Sequence, residues 1–171
     1  MSIAGRNSRI SPGWPAVAGH DREGKRISVL LLPKSLRDAI AAESHAAFPR
    51  ECCGLIEGTR EGGAARASAI HPVRNLASEP DRFELDPAEQ FRLLRGLRGS
   101  GRELIGCYHS HPNGSAELSP RDRAGAGEDE FVWLIAGVTA DGAATWSCHA
   151  AQEGIWREVE IAATEEHATC T

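Results

Sequence analysis

Short runs of apolar residues recur along the chain and are separated by segments with helical spacing. Residues 27–32 predict a first strand that ends at Pro33, and residues 34–48 predict a helix from their alanine content and the spacing of Leu36 and Ile40. Further strands are predicted at residues 52–58, 65–70, 103–109, 131–138, 143–150 and 155–161, and further helices are predicted to begin at Asp86 and Ser119. Strands and helices are therefore interspersed along the chain, without an internal repeat.

The two ends of the chain lack this periodicity. Residues 1–26 are rich in Gly, Pro, Ser and Arg, which predicts a flexible extension, and residues 162–171 are predicted to be a loose tail. Residues 27–161 are predicted to form a single domain, because a chain of 171 residues with 41% hydrophobic residues suits one compact core.

Composition narrows the classes of function. The longest apolar run, at residues 131–138, is far shorter than the roughly 20 residues that cross a bilayer, and the N-terminal segment lacks the apolar core of a secretion signal. Five cysteines, an odd number in a chain without an export signal, fit reduced thiols, and the absence of a C-x-x-C pair argues against a cysteine zinc site. We therefore expect a cytoplasmic protein without membrane association. The net charge of −5 argues against nucleic acid as the main partner, because phosphate binding requires a basic surface.

Two histidines separated by one residue lie at the end of the predicted strand at residues 103–109. Residues two apart on a strand point to the same side, so His109 and His111 can present ring nitrogens to one divalent ion. A short loop can bring Asp122 back to supply an oxygen, which leaves the fourth tetrahedral position open for water. Open sites of this kind are the catalytic form of zinc, and the pattern therefore predicts a hydrolase.

Ser119 and Asp122 also have a purely structural explanation. Serine at the N-cap, Pro120 at the first helical position and a carboxylate three residues after the cap would form a capping box. The two explanations are compatible, because a capped helix start would hold the Asp122 carboxylate in a fixed position for a metal.

A metal-activated water also needs a proton acceptor. Coordination lowers the pKa of water toward ~7, and a nearby carboxylate can take its proton and pass it to a leaving amine. Glu51 is the candidate, because it lies between the first predicted helix and the strand at residues 52–58, where an acidic side chain can face a cleft. An ordinary surface glutamate is the alternative.

Taken together, these motifs resemble one known family. Glu51 within Pro-x-Glu-x-Cys-Gly-Leu-Ile, the His-Ser-His-Pro segment at residues 109–112 and the Ser119-x-x-Asp122 pair are similar to the JAMM (MPN+) metalloproteases, and most of all to their short prokaryotic branch. The resemblance covers most of the predicted domain and includes Asn75, which is similar to an asparagine before the second helix of family members.

The resemblance implies an α/β fold of the cytidine-deaminase-like kind, in which a curved mixed sheet is flanked by helices. It also implies one catalytic zinc ion per chain, bound by His109, His111 and Asp122, with a water as the fourth ligand. Glu51 would be the general acid and base, and Ser119 would stabilise the developing oxyanion. The acidic run Glu-Asp-Glu and the N-terminal extension are not explained by the resemblance.

Family members cut peptide or isopeptide bonds at the C-terminal tail of ubiquitin-like proteins, and short bacterial members resemble enzymes that process β-grasp sulfur-carrier proteins. A sulfur-carrier protein is therefore the expected substrate, and the alternative is deconjugation of a bacterial ubiquitin-like modifier from lysine. A metal-free scaffold in a protein assembly is a second alternative, although this chain retains every ligand. The H-x-E and P-C-x-x-C signatures of nucleobase deaminases and the H-E-x-x-H of thermolysin-like peptidases are absent. No oligomeric state is predicted.

Overall fold

A computed structural model describes residues 26–125 and 129–164 of the chain. These residues form one eight-stranded mixed sheet with helices, as the expected α/β class requires. The elements in chain order are β1 (Val29–Pro33), α1 (Lys34–Ala47), β2 (Cys53–Glu61), β3 (Ala64–Val73), α2 (Pro87–Gly96), β4 (Glu103–His111), α3 (Pro120–Ala124), β5 (Val132–Val138), β6 (Ala144–Gln152), β7 (Ile155–Glu158) and β8 (Glu160–Thr164).

The strand order across the sheet is β7-β6-β5-β4-β2-β3-β1-β8. The pairs β1–β3, β1–β8 and β4–β5 are parallel, and the remaining pairs are antiparallel. Each predicted element is present with shifted ends. Strand β4 continues two residues beyond its predicted end to His111, because β5 runs beside it and pairs Gly137 with His111.

The predicted strand at residues 155–161 is in fact two strands, β7 and β8, which pair with different neighbours. Strand β8 pairs with β1 as far as Thr164. Residues 162–164 therefore belong to the sheet rather than to the predicted tail. Residues 165–171 and the predicted extension before Arg26 lie outside the described residues.

Strands β7 and β8 lie at opposite edges of the sheet, yet only Val159 separates them in the chain. Eight flat strands spaced about 4.8 Å apart would put the edges roughly 34 Å apart, whereas two Cα–Cα steps span at most about 7.6 Å. The sheet must therefore curl until its edges meet. At this seam, the Val159 N–H donates to the Cys148 carbonyl of β6 at 2.8 Å, and the Glu160 N–H donates to the Ser28 carbonyl at 3.0 Å.

A charged cluster closes the same seam. Arg157 of β7 pairs with the Glu130 carboxylate and donates a hydrogen bond to the Ile27 carbonyl. Glu130 in turn accepts a hydrogen bond of 2.5 Å from the Ile27 N–H. Glu130 has a φ of 61°, which is uncommon for a residue other than glycine. The last residue of the acidic run thus joins β7 to the start of the domain.

Helices α1 and α2 cover opposite faces of the sheet. Neighbouring residues of a strand point to opposite faces, so each central strand contributes to two cores. The core on the α1 side includes Ile40, Ile56, Tyr108 and Leu134, and the core on the α2 side includes Leu93, Leu55, Cys107 and Trp133. The two histidines follow Cys107 at intervals of two residues and therefore lie on the α2 side of β4.

The helices are short, and α1, the longest in the described part, has 14 residues. None of the helices within residues 26–125 and 129–164 combines the length and the apolar character that crossing a bilayer requires.

Replacement of Glu130 with glutamine tests the seam. The substitution keeps the size of the side chain but removes the charge that pairs with Arg157, and we expect the free energy of unfolding to fall by about 1–3 kcal/mol. Chemical denaturation followed by circular dichroism measures this change. Glu158→Gln removes the same charge from an exposed position of β7 and should change stability by less than about 0.5 kcal/mol. Equal losses in the two variants would contradict a specific role for Glu130.

Candidate metal centre

The pairing register between β2 and β4 determines which residues lie beside His109 and His111. The two strands are antiparallel, and Cys53 pairs with His109. Ser110 extends the pairing by one step, because it makes hydrogen bonds of 3.1 and 2.9 Å to the backbone of the residue before Cys53. The next step of the same register puts Glu51 opposite His111. Glu51 is therefore delivered to the strand end that carries the histidines, although it is distant from them in the sequence.

The two histidine rings are enclosed by protein. His109 is fully buried, and His111 has 6% of its surface exposed. Strand β5 pairs with this segment along its other side, so its backbone is held by neighbours on both sides. The ring of Phe83 stacks on His109 with centroids 4.3 Å apart, and the ring of Trp133 meets it edge-on. The rings therefore have little freedom to turn away from each other.

Helix α3 supplies the carboxylate. Ser119 Oγ accepts a hydrogen bond from the Asp122 N–H at 3.1 Å, and Asp122 Oδ2 accepts one from the Ser119 N–H at 2.8 Å. Pro120 is the first helical residue, so the predicted capping box is confirmed. The cap holds Asp122 with 5% of its surface exposed, against the two histidines.

Potential ligand atoms of three residues converge at this point. The Nε2 atoms of His109 and His111 are 3.0 Å apart, the His109 Nε2 lies 3.3 Å from Asp122 Oδ1, and the His111 Nε2 lies 3.3 Å from Asp122 Oδ2. Ligands at about 2.0–2.1 Å from a tetrahedral zinc ion are themselves about 3.3–3.4 Å apart. The three predicted ligands are thus brought together at separations that suit one tetrahedral ion.

The remaining ring nitrogens differ in their partners. His111 Nδ1 lies 3.0 Å from the Ser115 carbonyl, and the nitrogen must be the donor because a carbonyl only accepts. A neutral His111 then has its lone pair on Nε2, which faces the cluster. His109 Nδ1 is buried and has no hydrogen-bond partner among the described residues. Two facing Nε2 atoms and a carboxylate form a donor set that is more fully satisfied with a cation between them.

Charges within the cluster shift its pKa values. Burial lowers the pKa of His109, although Asp122 acts in the opposite direction. Burial acts on His111 as well, but there the hydrogen bond and the charge of Asp122 outweigh it and raise the pKa of His111. Burial favours the protonated form of Asp122, but hydrogen bonds with the two histidines overcome this effect and hold the pKa of Asp122 well below its usual range. Asp122 is therefore ionised and His109 neutral at neutral pH, which are the states that bind a metal.

Glu51 has only 7% of its surface exposed. Burial raises the pKa of Glu51 to about 8, while the charge of His111 acts against this shift and the charge of Asp122 adds to it. A carboxyl group with this pKa can hold or release a proton near neutral pH. The Glu51 backbone is fixed on both sides, because its N–H donates to the Pro80 carbonyl and its carbonyl accepts from Asn75 Nδ2, each at 3.0 Å.

Asn75 organises the loop that borders the site. Its Nδ2 donates to the Glu51 carbonyl and to one carbonyl of the loop at residues 76–84, and its Oδ1 accepts two N–H groups of the same loop. All four hydrogen bonds are 2.9–3.0 Å long. The loop carries Phe83, whose ring stacks on His109. One side chain thus links the position of Glu51 to the packing of a histidine ring.

Ser119 lies at the same helix start as Asp122 and is half-buried. Its Oγ accepts the Asp122 N–H, so its own hydroxyl hydrogen is not used by the cap. Sequence reasoning missed two contributors, Phe83 and the carbonyl of Ser115. Neither residue belongs to a sequence motif, and any residue type can supply a backbone carbonyl. Asn75 is the one residue in the sequence that pointed to the loop carrying Phe83.

A family model described as prokaryotic homologs of the JAB domain matches residues 33–149. A desampylase of Haloferax volcanii is 35% identical over 63% of this chain and 80% of its own length. A probable TtuB-protein conjugate cleaving protease of Thermus thermophilus is 34% identical over 55% of this chain and 61% of its own. A CysO-cysteine peptidase of Mycobacterium tuberculosis is 26% identical over 82% of this chain and 90% of its own.

A solved structure has a fold similar to that of this chain. The solution structure of a protein from Desulfitobacterium hafniense, 28% identical, matches with a TM-score of 0.71 over 81% of this chain and 94% of that protein. The family model covers well over half of the chain, and its range includes Glu51, the three converging residues and Ser119. The chain therefore belongs to the prokaryotic branch of the JAB (JAMM/MPN) family.

Proposed function

We propose that the protein is a zinc-dependent hydrolase that cleaves a peptide-type bond at the C-terminal tail of a small ubiquitin-like protein of the β-grasp fold. The main observation in support is the convergence of the His109 and His111 Nε2 atoms with the Asp122 carboxylate at 3.0–3.3 Å. Relatives named as a protease and a peptidase support the class of reaction.

His109, His111 and Asp122 would hold the zinc ion and leave a fourth position for water. Imidazole and carboxylate ligands suit zinc, and three protein ligands without a thiolate are typical of catalytic sites. When bound, zinc polarises a carbonyl group and lowers the pKa of water. The Ser115 carbonyl would keep the Nε2 atom of His111 oriented for this role, because it binds the opposite ring nitrogen.

Glu51 is the proposed general base and acid. Its carboxylate takes the proton of the attacking water and then delivers it to the nitrogen of the leaving amine. The β2–β4 register supports this role, because it puts Glu51 opposite His111. The pKa of Glu51, about 8 from burial, would fall beside a bound cation, which favours the carboxylate that the first proton transfer needs.

Ser119 is the proposed donor to the oxygen of the scissile carbonyl. Its hydroxyl hydrogen is not used by the helix cap, and Asp122, its partner in the cap, lies against both histidines. A donor held in this way stabilises the negative charge that develops on the oxygen during attack.

A sulfur-carrier protein is the proposed substrate. The CysO-cysteine peptidase matches 82% of this chain, a larger share than the other two relatives match, and its name describes a peptidase for CysO-cysteine. In this reaction the leaving group would be the α-amine of a residue that extends the carrier's tail.

The second candidate is an isopeptidase that releases a ubiquitin-like modifier from a lysine side chain. The protease of Thermus thermophilus supports it, because that relative is 34% identical and is named for cleaving protein conjugates. The two reactions break the same kind of amide bond and differ in the leaving amine. A cytoplasmic location and the absence of a nucleic-acid partner remain predictions from composition.

The variants Glu51→Gln and Asp122→Ala separate the two proposed roles. Glu51→Gln removes the proton acceptor but no ligand, so we expect one zinc ion per chain and a rate of cleavage about 100- to 10,000-fold lower. Asp122→Ala removes a ligand, so zinc and cleavage should both be lost. Metal analysis of the purified proteins and initial rates on one substrate measure these outcomes.

Glu117→Gln serves as the matched control, because it removes an exposed carboxylate from the loop between His111 and Ser119. This variant should keep both zinc and activity. Undiminished turnover in Glu51→Gln would refute the assignment of the base. A parent protein without stoichiometric zinc would favour the scaffold alternative.

Two probes built on one β-grasp carrier distinguish the candidate substrates. In the first, the carrier's C-terminal tail is extended by cysteine, and in the second it is joined to a lysine side chain. We expect intact-mass measurement to show the free carrier from the first probe, and far less of it over the same time with Glu51→Gln. Cleavage of the second probe alone would favour the isopeptidase.

A further inference from the structure

The loop between His111 and Ser119 lies across the ends of β5 and β6. Its Gly114 N–H donates to the Val138 carbonyl at 3.0 Å. A Cβ atom added to Gly137 would lie 2.5 Å from the Ser115 carbonyl carbon and 2.6 Å from the Gly114 oxygen, so the loop backbone rests directly on the strand. Glycine at position 137 is what permits this close approach.

Two hydroxyl groups of β6 hold this loop. Thr145 Oγ1 donates to the Gly114 carbonyl at 2.9 Å, and Ser147 Oγ donates to the Ala116 carbonyl. The two hydroxyls are two residues apart on one strand and therefore lie on the same side of it. The carbonyls that they bind are likewise two residues apart in the loop.

The carbonyl between these two has a different partner. The Ser115 carbonyl oxygen bonds to His111 instead of to β6. It accepts a hydrogen bond from the Nδ1–H of His111, and the nitrogen and oxygen are 3.0 Å apart. The backbone on either side of Ser115 is fixed by bonds to Thr145 and Ser147, so the direction of the Ser115 carbonyl is fixed as well.

We propose that Thr145 and Ser147 are positioning residues for the metal ligand His111. They fix the two peptide groups that flank the Ser115 carbonyl, this carbonyl binds His111 Nδ1, and the ring then presents Nε2 to the cluster. This inference rests on the proposed function, because it takes His111 as a ligand. Groups that orient a ligating histidine typically change metal affinity about 10- to 100-fold when they are removed.

The contribution of the two hydroxyls should differ. Thr145 is exposed, so water can replace its bond to the loop, whereas Ser147 is half-buried. Ser147 Oγ also lies 2.9 Å from His149 Nε2. Because the hydroxyl gives its hydrogen to the Ala116 carbonyl, it accepts here from the Nε2–H of His149. Ser147 is thus held from two directions and should be the more important of the pair.

The test measures zinc affinity rather than turnover. Thr145→Val with Ser147→Ala removes both hydroxyls, and we expect the zinc dissociation constant, measured by competition with a chromophoric chelator, to rise about 10- to 100-fold. Ser147→Ala alone should account for most of the change. Thr145→Ser with Ser147→Thr keeps both hydroxyls and should restore the parent affinity. Visible absorption of the cobalt-substituted protein should change in the double variant and in Ser147→Ala, and should stay as in the parent when both hydroxyls are kept.

Ser68→Ala is the matched control, because the Ser68 hydroxyl donates to the Glu57 carbonyl in a part of the sheet that contains none of the site residues. Its zinc affinity should equal that of the parent. Thermal unfolding of each metal-stripped protein shows whether a variant is folded. If the double variant does not fold, Ser147→Ala alone provides the test. Parent-like zinc affinity in every folded variant that lacks the Ser147 hydroxyl would overturn the inference. A parent protein that binds no zinc would instead overturn the proposed function.

Discussion

The pairing of Cys53 with His109 is the constraint on which the site depends. It sets Glu51 opposite His111 and puts both histidines on the face of β4 that carries Cys107. A slip of one residue would turn every side chain of β4 to the other face of the sheet. Such a slip is opposed from both sides, because β4 also pairs with β5 along Gly106 to His111. The two histidines, which are candidate metal ligands, are therefore positioned by two hydrogen-bonded ladders rather than by a flexible loop.

Glycines reinforce the same register. A Cβ atom on Gly106 would lie 2.4 Å from the Val132 carbonyl oxygen, so only glycine lets β4 and β5 approach as they do. A Cβ atom on Gly54 would lie 2.3 Å from the ring of Tyr108, whose hydroxyl donates to Glu43 of α1 at 2.6 Å. Tyr108 precedes the first histidine and points to the opposite face, so this bond anchors the strand that carries the two histidines to the helix behind it.

Much of the site could be predicted from the sequence, because its parts depend on residue types at short spacing. Local backbone geometry fixes how two histidines lie on one strand and how a serine lies relative to an aspartate three residues later. The structure brings these two motifs together. The division of residues 155–161 into β7 and β8 could not be predicted, since two edge strands joined by Val159 have the same apolar pattern as a single strand. The contacts of Phe83 and of the Ser115 carbonyl were also out of reach, because they join positions that only the tertiary fold makes neighbours.

The seam at Val159 has a consequence for association between molecules. A long, unpaired edge strand is a template on which another chain can add a strand, and natural sheets avoid such edges. Here the two edges are strands of four and five residues, and the first continues into the second through Val159. The single residue that forces the sheet to curl thereby leaves the described sheet only short edges, which limits edge-to-edge aggregation.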